Sequence, residues 1–457
     1  MKVCIVGTGY VGITTGACLA FLGHDVTCVD VDEAKVETLR AGRSPIYEPH
    51  LVELLAAAHE HLSFTTDYAE GVPGADVVFI AVGTPSLADG SPDLRYLSAA
   101  AESIGANLSG DFTVVVNKST VPIGSGNWVD ALVREAYERH HDHRAGDRFS
   151  VASNPEFLRE GAAIGDTLYP DRVVVGSDHA RSREILYALY RPIVEQSFTP
   201  PAFLPRPEEM TAIPLVATDL ASAELIKYAA NAFLALKISY INEIGALAAK
   251  VGADIIQVAR GTGLDSRIGP RFLQPGVGWG GSCFGKDTAA LISTAAEYKL
   301  DMPIVSAART INRHQRELVV DKLQDELRIL KGRTIGLLGL AFKPQTDDLR
   351  DSPAIDIARL LIERGARVRL HDPIAMDRFR QEQPELAAHL CEDPTEVATD
   401  ADALVLVTAW PHYLELDWAK LGVVMREARV LDGRHELDPD RMHRAGFRYL
   451  ALAGWNA

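Results

Sequence analysis

Three glycines near the N-terminus constrain the fold more than any other feature of this sequence. They have the spacing Gly7-x-Gly9-x-x-Gly12 and directly follow a short apolar run. A helix-compatible segment, residues 13–22, comes next, and a second apolar run, residues 26–30, completes a strand–turn–helix–strand unit. The first glycine permits a tight turn, the second lets a pyrophosphate approach the backbone, and the third lets the helix pack on the strand. The unit predicts a parallel sheet with a dinucleotide site.

An acidic residue stands where such a site would need one. Asp30 ends the second apolar run, 18 residues after Gly12. A carboxylate there can accept a hydrogen bond from a ribose 2′-hydroxyl and repel a 2′-phosphate. The pattern therefore predicts NAD rather than NADP, and it disfavours a glycine-rich turn without a ligand. Gly336 and Gly339 occupy a similar place later in the chain but lack the spacing, so we expect one NAD per chain.

The rest of the chain alternates between two kinds of pattern. Apolar β-type runs and helix-like segments alternate over roughly the first 200 residues, a proline-rich stretch follows at 198–214, and helix-like patterns dominate 219–330. A second β-led region begins at residue 333. We expect an α/β fold with two Rossmann-like, doubly wound modules joined by a long central helix and a helical middle domain. The predicted domains are 1–208, 209–330 and 331–457.

Composition narrows the class of protein. The 457 residues include 46 Lys plus Arg and 62 Asp plus Glu, for a net charge of −16, which argues against nucleic acid or an anionic membrane surface as partner. The longest apolar stretch, residues 220–241, contains Glu224, Lys227 and Lys237, so we expect a helix of a globular protein and no membrane span. The N-terminus runs directly into a β-type run without a signal-peptide pattern, and the expected location is the cytoplasm.

One cysteine of the five stands in an unusual setting. Cys283 lies in a run of small residues, Gly-Trp-Gly-Gly-Ser-Cys-Phe-Gly-Lys-Asp, that ends in Lys286 and Asp287. A helix beginning there, together with Lys286, would favour the thiolate. A lone cysteine is usually buried and inert, but these neighbours favour a reactive thiol. None of the cysteines forms a CxxC pair, and we expect no metal site; His140, His141 and His143 are interpreted as part of a solvated loop.

Polar residues at helical spacing supply further candidates. Lys227 and Asn231 are four residues apart in the long apolar helix, so both lie on one face and could polarise a hydroxyl or carbonyl oxygen. Glu156 and Glu160 are also four apart. A solvated lysine with a capping asparagine, and an exposed acidic turn, are the alternatives. The runs 82–85 and 118–122 follow predicted strands, where open α/β sheets bind ligands.

The motifs together resemble a known family. In chain order they are GxGYVG, VGTP, KSTVP, NPEFLREG, KYAANAFLALKISYINE, RIG, GGSCFGKD and FKPQTDDLRDSP. The sequence resembles the UDP-glucose/GDP-mannose dehydrogenase family over nearly its whole length. The resemblance implies oxidation of the UDP-glucose primary alcohol to the carboxylate of UDP-glucuronate with two NAD⁺, through a thiohemiacetal and a thioester on a cysteine. It also implies a UDP-sugar-binding third domain and a homodimer built on the central helix.

The resemblance assigns roles to residues of this chain. It implies Cys283 as nucleophile, Lys227 and Asn231 at the oxyanions, a water on Asp287 for the first proton, and Thr120 and Glu156 around the hydrolytic water. The implied NAD-binding residues are Gly7, Gly9, Tyr10, Val11, Gly12, Asp30, Lys35, Thr84, Thr120, Glu160, Lys286 and Arg350. The implied substrate-binding residues are Glu156, Phe157, Leu158, Arg159, Glu160, Lys227, Asn231, Arg267, Phe272, Gln274, Gly276, Gly280, Lys343 and Arg434.

Three alternatives remain at this stage. GDP-mannose or a UDP-N-acetylhexosamine could be oxidised by the same mechanism. A two-electron β-hydroxyacid dehydrogenase would share the Rossmann domain and the Lys-x-x-x-Asn pair, but it needs no nucleophilic cysteine and usually has no second α/β module. A nucleotide-sugar sensor without activity would be expected to have lost Cys283, Lys227 or Asp287, and all three are present.

Overall fold

The computed structural model describes residues 1–85, 87, 90–110 and 112–453, so the last four residues of the predicted third domain lie outside the described part. The strands are β1 (Lys2–Val6), β2 (Asp25–Val29), β3 (Leu62–Thr65), β4 (Val77–Ile80), β5 (Thr113–Asn117), β6 (Phe149–Ser153), β7 (Val173–Gly176), β8 (Leu215–Thr218), β9 (Thr334–Leu338), β10 (Arg367–His371), β11 (Ala403–Leu406), β12 (Arg429–Asp432) and β13 (Arg448–Ala451).

The helices follow the same numbering in chain order. They are α1 (Tyr10–Phe21), α2 (Glu33–Arg40), α3 (Leu51–Ala57), α4 (Tyr68–Gly71), α5 (Arg95–Asn107), α6 (Ser125–His140), α7 (Ala163–Leu168), α8 (Ala180–Val194), α9 (Leu220–Val251), α10 (Ile255–Gly263), α11 (Phe284–Glu297), α12 (Pro303–Leu327), α13 (Pro353–Glu363), α14 (Met376–Glu382), α15 (Pro394–Ala398), α16 (Pro411–Leu414), α17 (Trp418–Val424) and α18 (Pro439–Arg444).

The first sheet has the strand order β3-β2-β1-β4-β5-β6-β7-β8. Its strands pair in parallel, except that β6 and β7 meet antiparallel at a single residue pair. Val3 and Ile5 of β1 face one hydrophobic core, and Cys4 and Val6 face another on the opposite side, because side chains of a strand alternate. The order reverses between β1 and β4, where ligands of doubly wound sheets bind.

The first sheet extends beyond residue 208, where the sequence-based boundary was placed. Strand β8 begins directly after Pro214 and pairs with β7 at the edge of the sheet. A proline is compatible with the start of an edge strand, because its missing N–H removes no ladder hydrogen bond there. The proline-rich stretch therefore leads into the last strand of the first sheet.

The second sheet has the order β10-β9-β11-β12-β13 and is parallel throughout. Strands β9 and β11 are completely buried, as expected for a sheet with helices on both faces. The region between the sheets is helical, from α9 to α12. These observations confirm the predicted α/β class with two Rossmann-like modules and a helical middle region.

The turns after the first strands of the two sheets have the same construction. Gly7 has φ +96° and donates its N–H to the carbonyl of Val29 at 2.8 Å, and Asp30 accepts the N–H of Thr8 at 2.7 Å. After β9, Gly339 has φ +99° and donates to His371 at 2.9 Å. There Asp372 accepts the N–H groups of Leu340 and Ala341 at 2.7 and 3.0 Å.

The described chain divides into two compact units. One contains Met1–Ala229 and Ala289–Glu297, and the other contains Ala230–Thr288 and Tyr298–Ala457, so α9 and α11 each contribute to both. The three-domain boundaries predicted from the sequence stay a prediction.

Helix α9 is the only helix in the described residues that length and composition would allow to cross a membrane. In the structure, 39% of its most apolar window is buried. The helix also carries the buried polar side chains of Glu224, Lys227 and Asn231. The predicted absence of a membrane partner stays a prediction.

Candidate active site

The glycine turn after β1 has the shape that a dinucleotide requires. A Cβ on Gly7 would lie 2.7 Å from the carbonyl oxygen of Ala81, and one on Gly12 would lie 1.8 Å from that of Gly7. A Cβ on Gly9, in contrast, would meet nothing within 4 Å. Helix α1 begins at Tyr10 and has no side-chain cap, and the first N–H groups of a helix have no partner within it, which suits an anion. The turn therefore fits the pyrophosphate of NAD.

Asp30 lies at the carboxyl end of β2 and is buried. Its carboxylate accepts the backbone N–H and the hydroxyl of Thr8 at 2.7 and 2.6 Å and the N–H of Asp32 at 3.0 Å. Burial acts to raise the pKa of Asp30, but these hydrogen bonds hold it below its usual value. Since a carboxylate accepts about four hydrogen bonds, it keeps capacity for a ribose hydroxyl.

The turns after β4 and β5 are bonded to each other. The Thr84 hydroxyl donates to the carbonyl of Thr120 at 3.0 Å, and the Ser119 hydroxyl donates to that of Val82 at 2.7 Å. The structure thus brings together two turns that the sequence placed only at strand ends. Both follow neighbouring strands on the side of the sheet where the glycine turn lies.

Glu156 and Lys227 form a buried ion pair in the first unit. Nζ of Lys227 is 2.8 Å from Oε1 of Glu156, and the two side chains are 4% and 6% exposed. The N–H of Leu158 donates to the second carboxylate oxygen at 2.5 Å. Burial acts to raise the pKa of Glu156, but the charge and hydrogen bond of Lys227 together with this N–H lower it. Glu156 is therefore held as a carboxylate, and the acidic turn and solvated lysine alternatives do not apply.

The remaining residues of the 157–160 segment have distinct surroundings. The Phe157 ring carries the Arg172 guanidinium 3.7 Å from its centroid and Nζ of Lys227 at 5.4 Å. Arg159 is exposed and forms an ion pair with Asp166 at 2.7 Å. Leu158 and Glu160 are half-buried. The segment thus presents one ring fixed by cations and one arginine held at the surface.

In the second unit, Asn231, Asp287 and Lys286 form a connected group. The Asn231 amide donates to Oδ2 of Asp287 at 2.6 Å, and Nζ of Lys286 is 2.8 Å from Oδ1 of Asp287. Asp287 is completely buried. Because one oxygen faces an amide donor and the other an ammonium, the carboxylate is fixed in one orientation.

Cys283 directly precedes α11, and its carbonyl accepts the first helical hydrogen bond, from the N–H of Asp287, at 2.8 Å. The thiol is half-buried, and its sulfur lies 3.5 Å from the Ser282 hydroxyl. Cys4, Cys18 and Cys28 are buried, and burial raises the pKa of Cys4 and Cys18 to about 12. The position at a helix N-terminus favours a thiolate at Cys283.

The loop before Cys283 is held by polar side chains of the second unit. Asn242 accepts the N–H of Gly276 at 2.8 Å, and Asn312 bonds both backbone groups of Trp279, at 2.7 and 2.9 Å. Arg434 donates to the carbonyls of Val407, Gly278 and Phe342. Phe272, Gly276 and Gly280 of this loop are at least half-buried, and Gln274 is exposed. Arg434 therefore stabilises this loop by hydrogen bonds. Its predicted contact with the substrate stays a prediction.

The other predicted cations lie at the surface or near it. Arg267 is 86% exposed and bonds Asp265, and Arg350 bonds Asp348. Lys35 lies 3.8 Å from Asp32, and Nζ of Lys343 is 5.4 Å from the centroid of the Phe342 ring. Arg267 therefore lies in solvent, outside the buried groups described above.

Sequence reasoning missed two buried glutamates of the first unit. Glu48 accepts the N–H groups of Gly161 and Ala163 at 2.6 Å each and the hydroxyl of Tyr10, so it joins the glycine turn to the 157–161 segment. Glu224 accepts the N–H groups of Gly124 and Gly126 at 2.6 and 2.9 Å at the start of α6. Glu48 carries no motif signal, whereas Glu224 precedes Lys227 by one helical turn, and that spacing could have found it.

The histidine cluster has packing contacts. His141 stacks on Tyr137 with ring centroids 4.2 Å apart, and His143 bonds the Tyr137 hydroxyl at 2.9 Å. Within the described residues, no group of three or more His, Cys, Asp or Glu side chains could hold a metal ion.

Three consecutive regions match the models of one protein family. Residues 1–194 match the NAD binding domain of the UDP-glucose/GDP-mannose dehydrogenase family, residues 221–314 match its central domain, and residues 336–439 match its UDP binding domain. The chain belongs to the UDP-glucose/GDP-mannose dehydrogenase family. Membership in this dehydrogenase family confirms the oxidoreductase class, NAD as cofactor and a UDP-sugar-binding domain.

Relatives of the dehydrogenase family match over the full length. The chain is 45% identical to a UDP-glucose 6-dehydrogenase of Rhizobium meliloti (strain 1021), with 99% of each chain covered. A solved UDP-glucose dehydrogenase from Pyrobaculum islandicum matches with a TM-score of 0.87 and 40% identity, over 99% of this chain and 98% of that one. A UDP-D-ManNAc dehydrogenase from Pyrococcus horikoshii matches with a TM-score of 0.82 and 26% identity, over 99% of each.

Proposed function

We propose that this chain is a UDP-glucose 6-dehydrogenase that oxidises UDP-glucose to UDP-glucuronate with two NAD⁺. The observation that carries the proposal is Cys283 at the N-terminus of α11, four residues before the buried Asp287. A two-electron alcohol dehydrogenase needs no nucleophile, whereas a four-electron oxidation needs one to hold the aldehyde. Full-length relatives at 40–45% identity bear the UDP-glucose dehydrogenase name.

The chain's own residues carry the covalent steps. Two NAD⁺ molecules, each bound in turn at the glycine turn, would accept one hydride apiece. The Cys283 thiolate adds to C6 of the aldehyde, a C–S bond forms, and the carbonyl oxygen becomes an oxyanion. After the second oxidation C6 is a thioester. Water then adds, the C–S bond breaks, Cys283 leaves as thiolate, and the carboxylate product forms.

Charged and polar side chains have proposed roles in these steps. Lys227 and Asn231 donate to the oxyanions, an arrangement that typically contributes 10²–10³-fold to rate per donor. A water held by Asp287 takes the proton of the substrate hydroxyl, since Asn231 and Lys286 orient that carboxylate. Glu156 accepts the proton of the hydrolytic water, with Thr120 beside it.

The binding roles are proposed residue by residue. NAD would contact Gly7, Gly9, Tyr10, Val11, Gly12, Asp30, Lys35, Thr84, Thr120, Glu160, Lys286 and Arg350. The UDP-sugar would contact Glu156, Phe157, Leu158, Arg159, Glu160, Lys227, Asn231, Arg267, Phe272, Gln274, Gly276, Gly280, Lys343 and Arg434. Arginine and lysine suit the diphosphate because they form charge-assisted hydrogen bonds.

The stoichiometry tests this function. We expect two NADH per UDP-glucose consumed, and a ratio of one would overturn the four-electron mechanism. Cys283→Ser should stop steady turnover after the first oxidation. Cys391→Ser, at a second half-buried cysteine, is the matched control and should keep full turnover. GDP-mannose and UDP-N-acetylmannosamine are assayed in parallel, and preference for either would reassign the substrate within the family.

We also propose a cytoplasmic homodimer built on α9. Phe233, Tyr240 and Leu247 recur every seven residues along this helix and are 61%, 49% and 59% exposed. Large apolar side chains on one exposed face mark a protein–protein contact. A second copy of the same helix has the matching surface.

A further inference from the structure

Lys118 is a buried lysine to which neither the family resemblance nor the proposed mechanism gives a role. It follows β5 and lies 8% exposed. Its Nζ donates to Oδ1 of Asn154 at 2.8 Å and lies 3.5 Å from the Tyr190 hydroxyl. No carboxylate of the described residues lies within 4.0 Å of this ammonium, which is unusual for a buried charge.

The charges facing Lys118 come from several elements. Glu156, after β6, attracts the ammonium, and Lys227 of α9 repels it. Tyr190 of α8 stands over it, with Nζ 5.7 Å from the ring centroid. Lys118 and Glu156 line one cavity of about 50 Å³, to which Arg172 and Asp166 also contribute, and it has room for a few water molecules.

Burial without a bonded carboxylate has an electrostatic consequence. It lowers the pKa of Lys118 to about 8, although the nearby Glu156 acts in the opposite direction. At neutral pH the ammonium persists, and its charge is one of the causes that lower the pKa of Glu156. Two ammonium groups therefore act on one carboxylate: Lys227 by direct contact, and Lys118 at longer range.

A second connection is structural. Asn154 precedes Glu156 by two residues, and its amide donates to the carbonyl of Val174 at 2.7 Å, while its oxygen accepts both Lys118 and Tyr190. Lys118 thus fixes the start of the turn that presents Glu156. Replacing the ammonium would leave Asn154 with its bonds to Tyr190 and Val174, so the turn would keep these two anchors.

We propose that Lys118 is a positioning residue that fixes the Asn154–Glu156 turn and, together with Lys227, keeps Glu156 ionised for the thioester hydrolysis. The inference rests on the proposed function, because Glu156 has its role as proton acceptor only there. Lys118 acts through its bond to Asn154 and through its charge on Glu156.

The pH dependence of kcat tests the charge effect. Lys118→Met removes the charge at similar length, so the pKa of Glu156 rises and the acid limb of kcat moves to higher pH by about 0.5–1 unit. Tyr190→Phe, which removes a neutral contact to the same Asn154 oxygen, should leave the limb where it is in the wild type. The inference would be overturned if the acid limb of kcat did not move in Lys118→Met, or if it moved equally in both variants.

A second measurement does not depend on turnover. Because the folded-state pKa of Lys118 lies below the unfolded value, the protonated lysine destabilises the folded chain below pH 8, and this cost disappears as the pH rises toward 10. Lys118→Met should therefore melt above the wild type at pH 7, with the difference shrinking by pH 10. If the difference in melting temperature between Lys118→Met and the wild type did not depend on pH, Lys118 would not be a buried charge. This outcome would contradict the inference even if the protein oxidised no nucleotide sugar. A wild type that is inactive but shows the melting trend would instead contradict the proposed function.

Discussion

Two buried glutamates, Glu156 beside α9 and Glu224 within it, have different kinds of partner. Glu156 faces the ammonium of Lys227 and titrates below its usual range. Glu224 faces only backbone N–H groups at the start of α6, and burial raises its pKa to about 7 even though those groups act to lower it. Glu156 is therefore ionised at neutral pH, whereas Glu224 gains and loses its proton near neutral pH.

The raised pKa of Glu224 predicts a stability effect of definite sign. The folded chain binds this proton more tightly than the unfolded chain, so the contribution is present below about pH 4 and is lost as the pH rises through 7. Glu224→Gln should remove this dependence. Relative to the wild type, the variant should gain about 2 kcal/mol in unfolding free energy between pH 5 and pH 8.

Urea unfolding at several pH values measures the effect. Glu243→Gln, at an exposed glutamate of the same helix, is the control and should show no such trend. Parallel pH profiles for Glu224→Gln and the wild type would contradict the assignment.

Individual site residues were predictable to the extent that local spacing fixes them. Helical spacing placed Lys227 and Asn231 on one face, and the structure gives each a buried acidic partner. Which acid each one contacts was not predictable, because Glu156 and Asp287 are distant in sequence. Glu48 was missed for the same reason: its partners lie 38 to 115 residues away.

At the scale of elements, two glycines of the turn after β1 have different tasks. Gly12 is needed for the packing of the fold, and Gly9 for the binding of NAD. Gly12→Ala would place a methyl group 1.8 Å from the Gly7 oxygen, so helix α1 could not pack on β1, at a cost of several kcal/mol. Gly9→Ala meets open space and should fold normally. It should lose NAD affinity at least tenfold, about 1.4 kcal/mol, because the methyl group occupies the pyrophosphate position.

Thermal unfolding and calorimetric titration with NAD⁺ distinguish the two outcomes. A Gly9→Ala protein that binds NAD⁺ like the wild type would remove that glycine from the cofactor site. A Gly12→Ala protein with an unchanged Tm would contradict the packing argument.

Element prediction succeeded where a strand reads as a continuous apolar run and failed where exposed positions interrupt the run. Strands β1, β4 and β5 are buried along nearly their whole length and read as continuous apolar runs. Strands β3 and β8 have four residues each with exposed positions, so the sequence carries no comparable signal. Their places at the two edges of the first sheet explain that exposure.

At the scale of the whole molecule, the exposed stripe on α9 predicts an assembly. Phe233→Asp would introduce a charge into an apolar contact and should weaken association at least 100-fold, about 3 kcal/mol. Light scattering after gel filtration should then give a mass near the 49.6 kDa of one chain rather than twice that value. Val423→Asp, at an exposed valine of α17, should leave the dimer intact. A monomeric wild type would refute the stripe as an interface.

The net charge of −16 is a property of the whole chain. The proposed ligands are anionic, so they require local cations against that background. Lys118, Lys227 and Arg172 gather around one carboxylate in the first unit, and Lys286 stands beside Asp287 in the second. The net charge argues against nucleic acid as a partner, but it carries no information about these clusters.

The matching turns after β1 and β9 also bear on ancestry. In each sheet a glycine with φ near +100° bonds the end of the neighbouring strand, and an aspartate just beyond that strand ties the turn. Two modules descended from one duplicated ancestor would keep such a device. The two aspartates differ in their surroundings: Asp372 also accepts the Trp410 indole N–H at 3.1 Å and is almost completely buried, so its carboxylate is used within the protein and is closed to a cofactor.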